Sequence, residues 1–592
     1  MGIFKYKNKD DFRLISDVIN IQTIYTNAVY SDNRVLGDGW KVLSGDSLGF
    51  QGQKNKFGAF YGQDAGYYHG YGQEANVLGK YDENGKLVKI GVSFWGVGTY
   101  SGEQDPNDRG AAFNKLNDAR DILFATAESR EKLASDYFDI LLKRVIDFAK
   151  TNGLGAKDVI ISGHSLGGAL VNSLSTLSDA GYLDGWYKES SYVAFSSPTK
   201  PIGNTKVLQI GFENDPVYRL LASTDNAAWD LSKKGLLYTA GEHDDTVDGF
   251  TNNIVDFNDY YATKYFDGGY FSKSITEKIF SYFNGKSSSE ISWAAHSSSE
   301  LLSALERVKH SDFYDYTFEN STVIFSNLTD ELASRYWVED LNAAKHKGTT
   351  FIFGRESGIN LLKGGSGNDY IQGGGGDDYF EDNQGINVLK GGEGVNVYSI
   401  KSSFDDVSVA FSYDGTAYFS FNDKSITKGV NITNVSFDYS PDKKVGDYKL
   451  LSLDELRPLT SIFANLENKY SIRSDAENEW LFSGSDNSKV ISTGNNTIHS
   501  GTGDDVLYGS YLGDTFIFSG DFGSDKVYNL ERSVDNRFIF MESKNILEND
   551  NFVQHTTFDQ NGDAVLTFGN NNVTLVGLHT LDDVSKIAMD FV

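Results

Sequence analysis

VIISGHSLGGALV, from Val159 to Val171, sets the fold class of this chain. Val159–Ser162 reads as a short buried strand, and small residues follow from Leu166 in a helical pattern. Between them, Gly163-His164-Ser165-Leu166-Gly167 fits the G-x-S-x-G turn in which a strand passes straight into a helix. So sharp a turn needs small flanking residues and leaves the serine hydroxyl exposed in a strained conformation. The helix beginning there aims free N–H groups and its positive end at the same spot. The Leu166 N–H is therefore a candidate oxyanion donor.

Up to about residue 350 the chain alternates strands and helices. Leu87–Phe94, Tyr192–Phe195 and Val207–Ile210 read as further strands. Leu133, Tyr137, Leu141, Val145 and Phe148 recur at helical spacing on one face. Such alternation implies a mostly parallel sheet covered by helices, an α/β-hydrolase-like domain over 1–350.

A serine hydroxyl is a weak nucleophile until a histidine takes its proton and a carboxylate orients that histidine. In this fold the chain order is Ser, Asp, His. Asp215, in GFENDPV, follows the strand ending at Ile210, at the edge where open α/β sheets bind ligands. Of the histidines downstream, His243 has acidic neighbours, His296 lies among small residues, and His310 reads as a helix end. Pattern alone leaves His296 and His243 level.

From about residue 354 the text falls into nines: RESGINLLK, GGSGNDYIQ, GGGGDDYFE, DNQGINVLK, GGEGVNVYS, and later ISTGNNTIH, SGTGDDVLY, GSYLGDTFI. Gly stands at the fourth position of most lines, Asp or Asn at the sixth, and an apolar residue tends to fill the eighth. This is the signature of a calcium-binding parallel β-roll. Turn carbonyls and the sixth-position carboxylate are hard oxygen ligands suited to Ca²⁺. Asp369, Asp378, Asp505 and Asp514 are the side-chain candidates, with Gly365, Gly367, Gly374 and Gly376 in their turns. Asn360, Asn387, Asn396 and Asn496 carry less charge and are expected to bind weakly or only to support the stack. The β-rich stretch 400–480 shows no repeat and has no assigned role. The second domain, 351–592, is thus expected to be β-roll and β-rich.

The bulk numbers agree. The chain has 592 residues, 39% hydrophobic, no Cys and a formal charge of -29. Disulfides and thiolate metal sites are excluded, and the field repels nucleic acid unless cations neutralise it. No apolar run reaches a membrane-spanning 18 residues, and the N-terminus lacks a secretory signal's apolar core.

With the elbow, Asp215 and the repeats in view, the chain resembles the bacterial repeat-in-toxin (RTX) lipases. The likeness runs through MGIF, VLGKYD, DVIISGHSLGG, ENDPV, NNIV-FND, WVEDLN and SGDFG. It implies a calcium-dependent lipase exported by a type I secretion apparatus and read from its C-terminus, here SKIAMDFV. By family motif Ser165 is the nucleophile and Asp215 the triad acid. The family base lies eleven residues before an Arg-Val pair that precedes Ser-Asp-Phe-Tyr. Arg307 and Val308 precede Ser311–Tyr314 here, which selects His296. The resemblance also implies a calcium site near that loop, mapped to Asp244 with Asn252 or Asn253, and to Asn320 where the family more often has Asp.

Two departures stand out. Phe94-Trp95-Gly96-Val97 replaces the family's Phe-Arg-Gly-Thr, so Val97 supplies the second oxyanion N–H without a hydroxyl. The family's long apolar lid has no counterpart in the short, polar Tyr30–Gly39; aromatic-rich Tyr260–Phe283 reads first as ordinary core packing, with a substitute cover as the alternative. The expected function is a secreted, extracellular serine carboxylester hydrolase acting on lipid esters at a lipid–water interface, a triacylglycerol lipase, with phospholipase A1 or a lidless esterase as alternatives. A calcium-roll metalloprotease is excluded because no His is followed by Glu. A non-catalytic calcium-binding adhesin has no use for an elbow and triad order.

Overall fold

The computed structural model describes residues 12–592 apart from 31, 56, 63–72, 97–126, 203–206, 216, 219–252, 260, 263–293, 318–320, 342, 344, 345, 347, 383, 413, 438–449, 461–470, 534 and 543–551. The chain divides into two compact units that meet in sequence at Ser311 and Asp312. That is earlier than the change of pattern near residue 350. The strand Thr322–Asn327 pairs in parallel with Thr350–Phe353 and so belongs with the repeats that follow it.

The first unit is built on a seven-stranded sheet. Its strands are β1 (Trp40–Val42), β2 (Phe60–Tyr61), β3 (Glu74–Tyr81), β4 (Leu87–Phe94), β5 (Val159–His164), β6 (Ser191–Phe195) and β7 (Leu208–Ile210). The order is β1-β3-β4-β5-β6-β7, with β2 beside β3. β4 to β7 run parallel, in the register Phe94↔Gly163 and His164↔Phe195. A further strand, β8 (Asn253–Asn258), meets the chain just beyond β7 through the bridge Phe212↔Ile254.

Alternation along the strands gives the sheet two apolar faces. Ile90, Val92 and Phe94 face α2 (Ala127–Thr151) and α3 (Leu166–Asp179), sharing a core with Leu141, Leu142, Val145, Leu170 and Leu174. Gly91 faces α1 (Phe12–Tyr30), where a Cβ would lie 2.6 Å from Ile21, so the helix packs directly on the backbone. A fourth helix, α4 (Ser298–His310), buries Leu301, Leu302, Leu305 and Val308.

α1 is fastened by a buried charge. Asp17 is 1% exposed and accepts from Trp40 Nε1 at 3.1 Å, Lys80 Nζ at 2.7 Å and Lys89 Nζ at 2.6 Å. One carboxylate thus joins the helix to β1, β3 and β4. No helix among the described residues is long and apolar enough to cross a membrane.

The second unit holds two parallel rolls. In the first, Asn360–Lys363, Asp378–Glu381, Val397–Ser399 and Asn434–Ser436 stack as one sheet, while Thr350–Phe353, Asp369–Gly375, Ile386–Glu393 and Ile426–Val430 form the other. The eighth-position residues Leu362, Ile371, Phe380, Leu389 and Tyr398 are all buried between them. The stretch 400–436, which shows no repeat in sequence, completes this roll. It adds the antiparallel strands Val407–Phe411 and Ala417–Phe421 ahead of Ile426–Val430. The second roll runs from Ser471 to Phe591, and its last strand, Ala588–Phe591, pairs with Arg537–Phe540. Tyr418 meets His499 Nε2 at 2.9 Å between the rolls, and Lys390 and Lys428 both pair with the buried Glu542.

Asp17→Ala should lower stability by about 2 kcal/mol, because it strands the Trp40 donor and two lysines at once. Asp17→Asn, which keeps an acceptor for Trp40, should lose less. Urea unfolding of the three proteins checks this; an Asp17→Ala midpoint equal to wild type would show that α1 is held by packing alone.

Candidate active site

β5 ends at His164 and α3 begins at Leu166, so Ser165 alone turns the chain. Its backbone sits at φ 58°, ψ −123°, outside the well-populated regions and strained by about 1–3 kcal/mol for a non-glycine residue. Close packing enforces the turn. A Cβ at Gly163 would lie 2.3 Å from the Gly167 carbonyl oxygen, and one at Gly167 would lie 2.2 Å from that of Phe94. The Ser165 N–H donates to the Phe195 carbonyl at 2.8 Å, tying the turn to β6.

Asp215 follows β7 and is wholly buried. Its Oδ1 accepts the Val217 N–H at 2.7 Å and the Tyr218 N–H at 3.2 Å. Asn214 beside it exchanges two hydrogen bonds with the Asp256 backbone in β8, at 2.6 Å and 3.1 Å. His296 closes a short turn ahead of α4. Its Nδ1 lies 2.9 Å from Asp215 Oδ2 and 3.0 Å from Oδ1, and its Nε2 lies 2.9 Å from Ser165 Oγ. A carboxylate at Nδ1 holds the ring proton there and leaves Nε2 as the acceptor for the serine hydroxyl.

The structure therefore brings together Ser165, Asp215 and His296. His310 sits exposed at the end of α4, its Nδ1 donating to the Glu306 carbonyl oxygen at 2.8 Å. His243 lies outside the described residues.

α1 braces this arrangement. Gln22 Nε2 donates to Ser162 Oγ at 2.9 Å, the Tyr25 hydroxyl meets His164 Nδ1 at 3.2 Å, and Thr26 Oγ1 meets Ser298 Oγ at 3.0 Å. The His164 ring lies 4.9 Å from that of His296. Burial, with His296 next to it, holds His164 well below the usual imidazole range. It therefore stays neutral and adds no positive charge beside His296. Sequence reading passed over α1 and these contacts, because its buried face carries Asp17, Gln22, Thr23 and Thr26 among the apolar residues.

Leu166 opens α3, so its N–H has no partner within the helix and faces the serine end. Val97 lies outside the described residues. Its neighbour Gly96 passes close enough that a Cβ there would touch Ser165 Cβ at 3.1 Å. Within Tyr30–Gly39, Arg34 is pinned to α4 through Glu306 at 2.6 Å and Ser303 at 2.5 Å. Tyr260–Phe283 lies outside the described residues except for Tyr261 and Ala262, which are buried.

In the rolls, sixth-position side chains form ladders. Asp378 Oδ1 accepts the Asn360 N–H, eighteen residues earlier, at 3.0 Å. Asn387 Oδ1 does the same for Asp369, Asn396 for Asp378, and Asp525 for Asp505. Where the residue is Asn, its amide donates to turn carbonyls: Asn396 Nδ2 to Gly392 O at 3.3 Å and Asn431 O at 3.0 Å. Where it is Asp, that second atom is an oxygen facing other oxygens. Asp378 Oδ2 and Asp525 Oδ2 are buried without a hydrogen-bond partner. Burial pushes Asp378 up to about 7, Asp505 to about 6 and Asp525 to about 8. A cation beside these oxygens would remove that strain, and an all-oxygen donor set fits Ca²⁺.

The fit is uneven. Asp505 Oδ2 accepts from Ser483 at 2.8 Å, and Asp514 has both oxygens engaged, by Ser492, Asn496 and Ser510. The Gly365 N–H donates to Asp369 Oδ2 at 2.7 Å. Gly376 and Gly385 show why the fourth position is glycine: a Cβ would lie 2.3 Å from Gly358 O and 1.9 Å from Gly367 O, one turn below. Gly374 carries the turn with φ +114°. Among the described residues no three His, Asp or Glu side chains gather as a metal site, so carbonyls must complete any coordination. Asn253 starts β8, half-buried; Asp244, Asn252 and Asn320 lie outside the described residues. Asp525 belongs to a further repeat, GDFGSDKVY from Gly520 to Tyr528, whose phase is broken by a two-residue insertion.

Residues 356–381 and 491–510 match the RTX calcium-binding nonapeptide repeat. A lipase of Pseudomonas fluorescens is 39% identical over 320 residues, 54% of this chain and 60% of that protein. A second lipase from Pseudomonas fluorescens is 38% identical over 316 residues, 53% of this chain and 63% of that one. These matches span less than two thirds of either relative. The crystal structure of the extracellular lipase LipA from Serratia marcescens superimposes with a TM-score of 0.79 at 30% identity, covering 99% of both chains. The chain belongs to the RTX lipase family. The α/β-hydrolase-like first unit and the repeat-built second unit are the architecture of that family member along its whole length.

Proposed function

We propose that this RTX lipase is a secreted carboxylester hydrolase of lipid esters, with triacylglycerols as its substrate class. One observation carries the reading: an unbroken hydrogen-bonded path from buried Asp215 through His296 to a strained serine at a helix N-terminus. The relatives, each named a lipase, support lipid esters as the substrate.

Ser165 Oγ attacks the ester carbonyl carbon while His296 Nε2 takes its proton. Asp215 stabilises the imidazolium and holds the ring in place. The oxyanion receives the Leu166 N–H at the positive end of α3, with the Val97 N–H as the second donor. His296 returns the proton to the departing alcohol, and a water activated by the same nitrogen releases the acid from the acyl-enzyme. Calcium, when bound, supplies positive charge to the buried roll carboxylates Asp369, Asp378 and Asp505, and to Asp525. Asp514 is proposed for its own turn of the second roll, with Gly365 and Gly367 in the turn of Asp369 and Gly374 and Gly376 in that of Asp378. Near the His296 loop, Asp244 and Asn253 are proposed for a separate calcium site. Export is proposed through a type I apparatus before folding, with extracellular calcium closing the rolls.

Ser165→Ala and His296→Ala should each lower hydrolysis of a soluble ester by about four orders of magnitude, with calcium binding retained. His310→Ala should stay near wild type. Activity above a few per cent in Ser165→Ala would remove the serine from the mechanism. A panel of triacylglycerols against phospholipids then settles the ester class, faster phospholipid turnover pointing to phospholipase A1.

Because Tyr30–Gly39 is short and pinned to α4, soluble short-chain esters should be hydrolysed with no steep rise in rate when micelles form. A sharp rise would assign a lid to another segment.

Removing calcium with a chelator should abolish much of the strand signal of residues 354–400 and 491–518, and calcium should restore it. Hydrogen exchange with and without calcium reads this directly; equal protection in both states would mean the rolls fold without the ion.

A further inference from the structure

The line 382–390 breaks the repeat twice. Its first position is Asp382, where the lines beginning at 364, 373 and 391 have glycine, and its sixth is Asn387 rather than aspartate. The matched repeat region stops one residue short, at 381.

The neighbouring turn shows what normally occupies this place. A Cβ on Gly373 would meet Asp378 Oδ2 at 2.2 Å and Gly391 O at 2.6 Å. One is the turn's own sixth-position carboxylate, the other a main-chain oxygen eighteen residues on. At Gly364 the same point is flanked by Asp369 Oδ2 at 2.9 Å and Asp382 Oδ2 at 2.3 Å. A second carboxylate thus stands where the other turn offers a carbonyl.

Asp382 is 2% exposed, and neither of its oxygens makes a hydrogen bond. The nearby Gln384 N–H eases its charge without reaching bonding geometry, while burial and Asp369 act against it. A charge so buried is strongly unfavourable unless paired. Asn387 does not help: its Oδ1 accepts the Asp369 N–H and its Nδ2 donates to Gln384 O at 2.8 Å. Two converging carboxylates with hard oxygens around them suit a divalent cation of calcium's chemistry.

We propose that Asp382 and Asp369 form a calcium site beside Gly364, in which Asp382 supplies from the first position the charge that Asn387 lacks at the sixth. The inference rests on the reading that the roll binds calcium. It sets this site apart from that of Asp378, which has one carboxylate.

Calcium titration of the full-length, chelator-stripped protein, with a chromophoric chelator in competition, tests it. Asp382→Asn and Asp382→Gly should each bind one ion fewer than wild type. Asp378→Asn should lose a different ion, and the Asp382→Asn/Asp378→Asn pair should lose two. Asp382→Gly/Asn387→Asp, which moves the carboxylate to the standard position, should recover the wild-type count. Glycine at the equivalent positions guards against misfolding in Asp382→Gly, and circular dichroism in saturating calcium should match wild type. If Asp382→Asn and Asp382→Gly keep wild-type stoichiometry and affinity while Asp378→Asn loses an ion, the site is refuted; Asp382 then shares a proton with Asp369, a role an amide reproduces. A wild-type protein that binds no calcium overturns the calcium reading of the roll, and this site with it.

Discussion

A carboxylate has two oxygens, and both units of this chain anchor one on backbone N–H groups so that the other is held for chemistry. Asp215 Oδ1 accepts from Val217 and Tyr218, which leaves the carboxylate edge facing His296. Asp378 Oδ1 accepts from Asn360, and Oδ2 is left in the turn interior. Backbone donors are rigid and always present, so they aim a short side chain more firmly than another side chain does. In the first unit the aimed oxygen fixes an imidazole proton. In the second it is buried without a hydrogen-bond partner.

The elbow was readable because its requirement is steric. Only glycine fits at 163 and 167 when the next carbonyl lies near 2.2–2.3 Å from a Cβ, and sequence records glycine plainly. The strands Leu87–Phe94 and Val159–His164 were equally plain, being apolar and short. The eighth-position residues of the rolls are buried as their spacing implied. The histidine was harder. Nothing local distinguishes His296 from His243, because what selects a histidine is a turn that swings it against Asp215, eighty-one residues away in the chain. Family likeness selected His296, and the structure places it between Asp215 and Ser165.

What stayed hidden was hidden for physical reasons. α1 buries polar side chains that find partners on the sheet, so its face does not read as an apolar stripe. The repeat ending at Tyr528 drops out of phase because Asp505 and Asp525 are twenty residues apart, the ladder bond surviving the insertion. Asp382 escaped because it does its work from a position where the pattern expects no side chain at all. The stretch 400–436 shows no nines because one of its strands, Ala417–Phe421, runs against its neighbours on both sides.

That reversal has a consequence for the molecule among its copies. A parallel coil that ends on a parallel rung offers the next molecule the same register and invites stacking into fibres. In the first roll both sheets depart from this: Ala417–Phe421 runs antiparallel to its neighbours on one, and Leu451–Ser452 runs antiparallel on the other. A second copy's coil arriving at this end does not find two edge strands that both run in its own direction. The mismatch between the two edges works against stacking of one copy on the next.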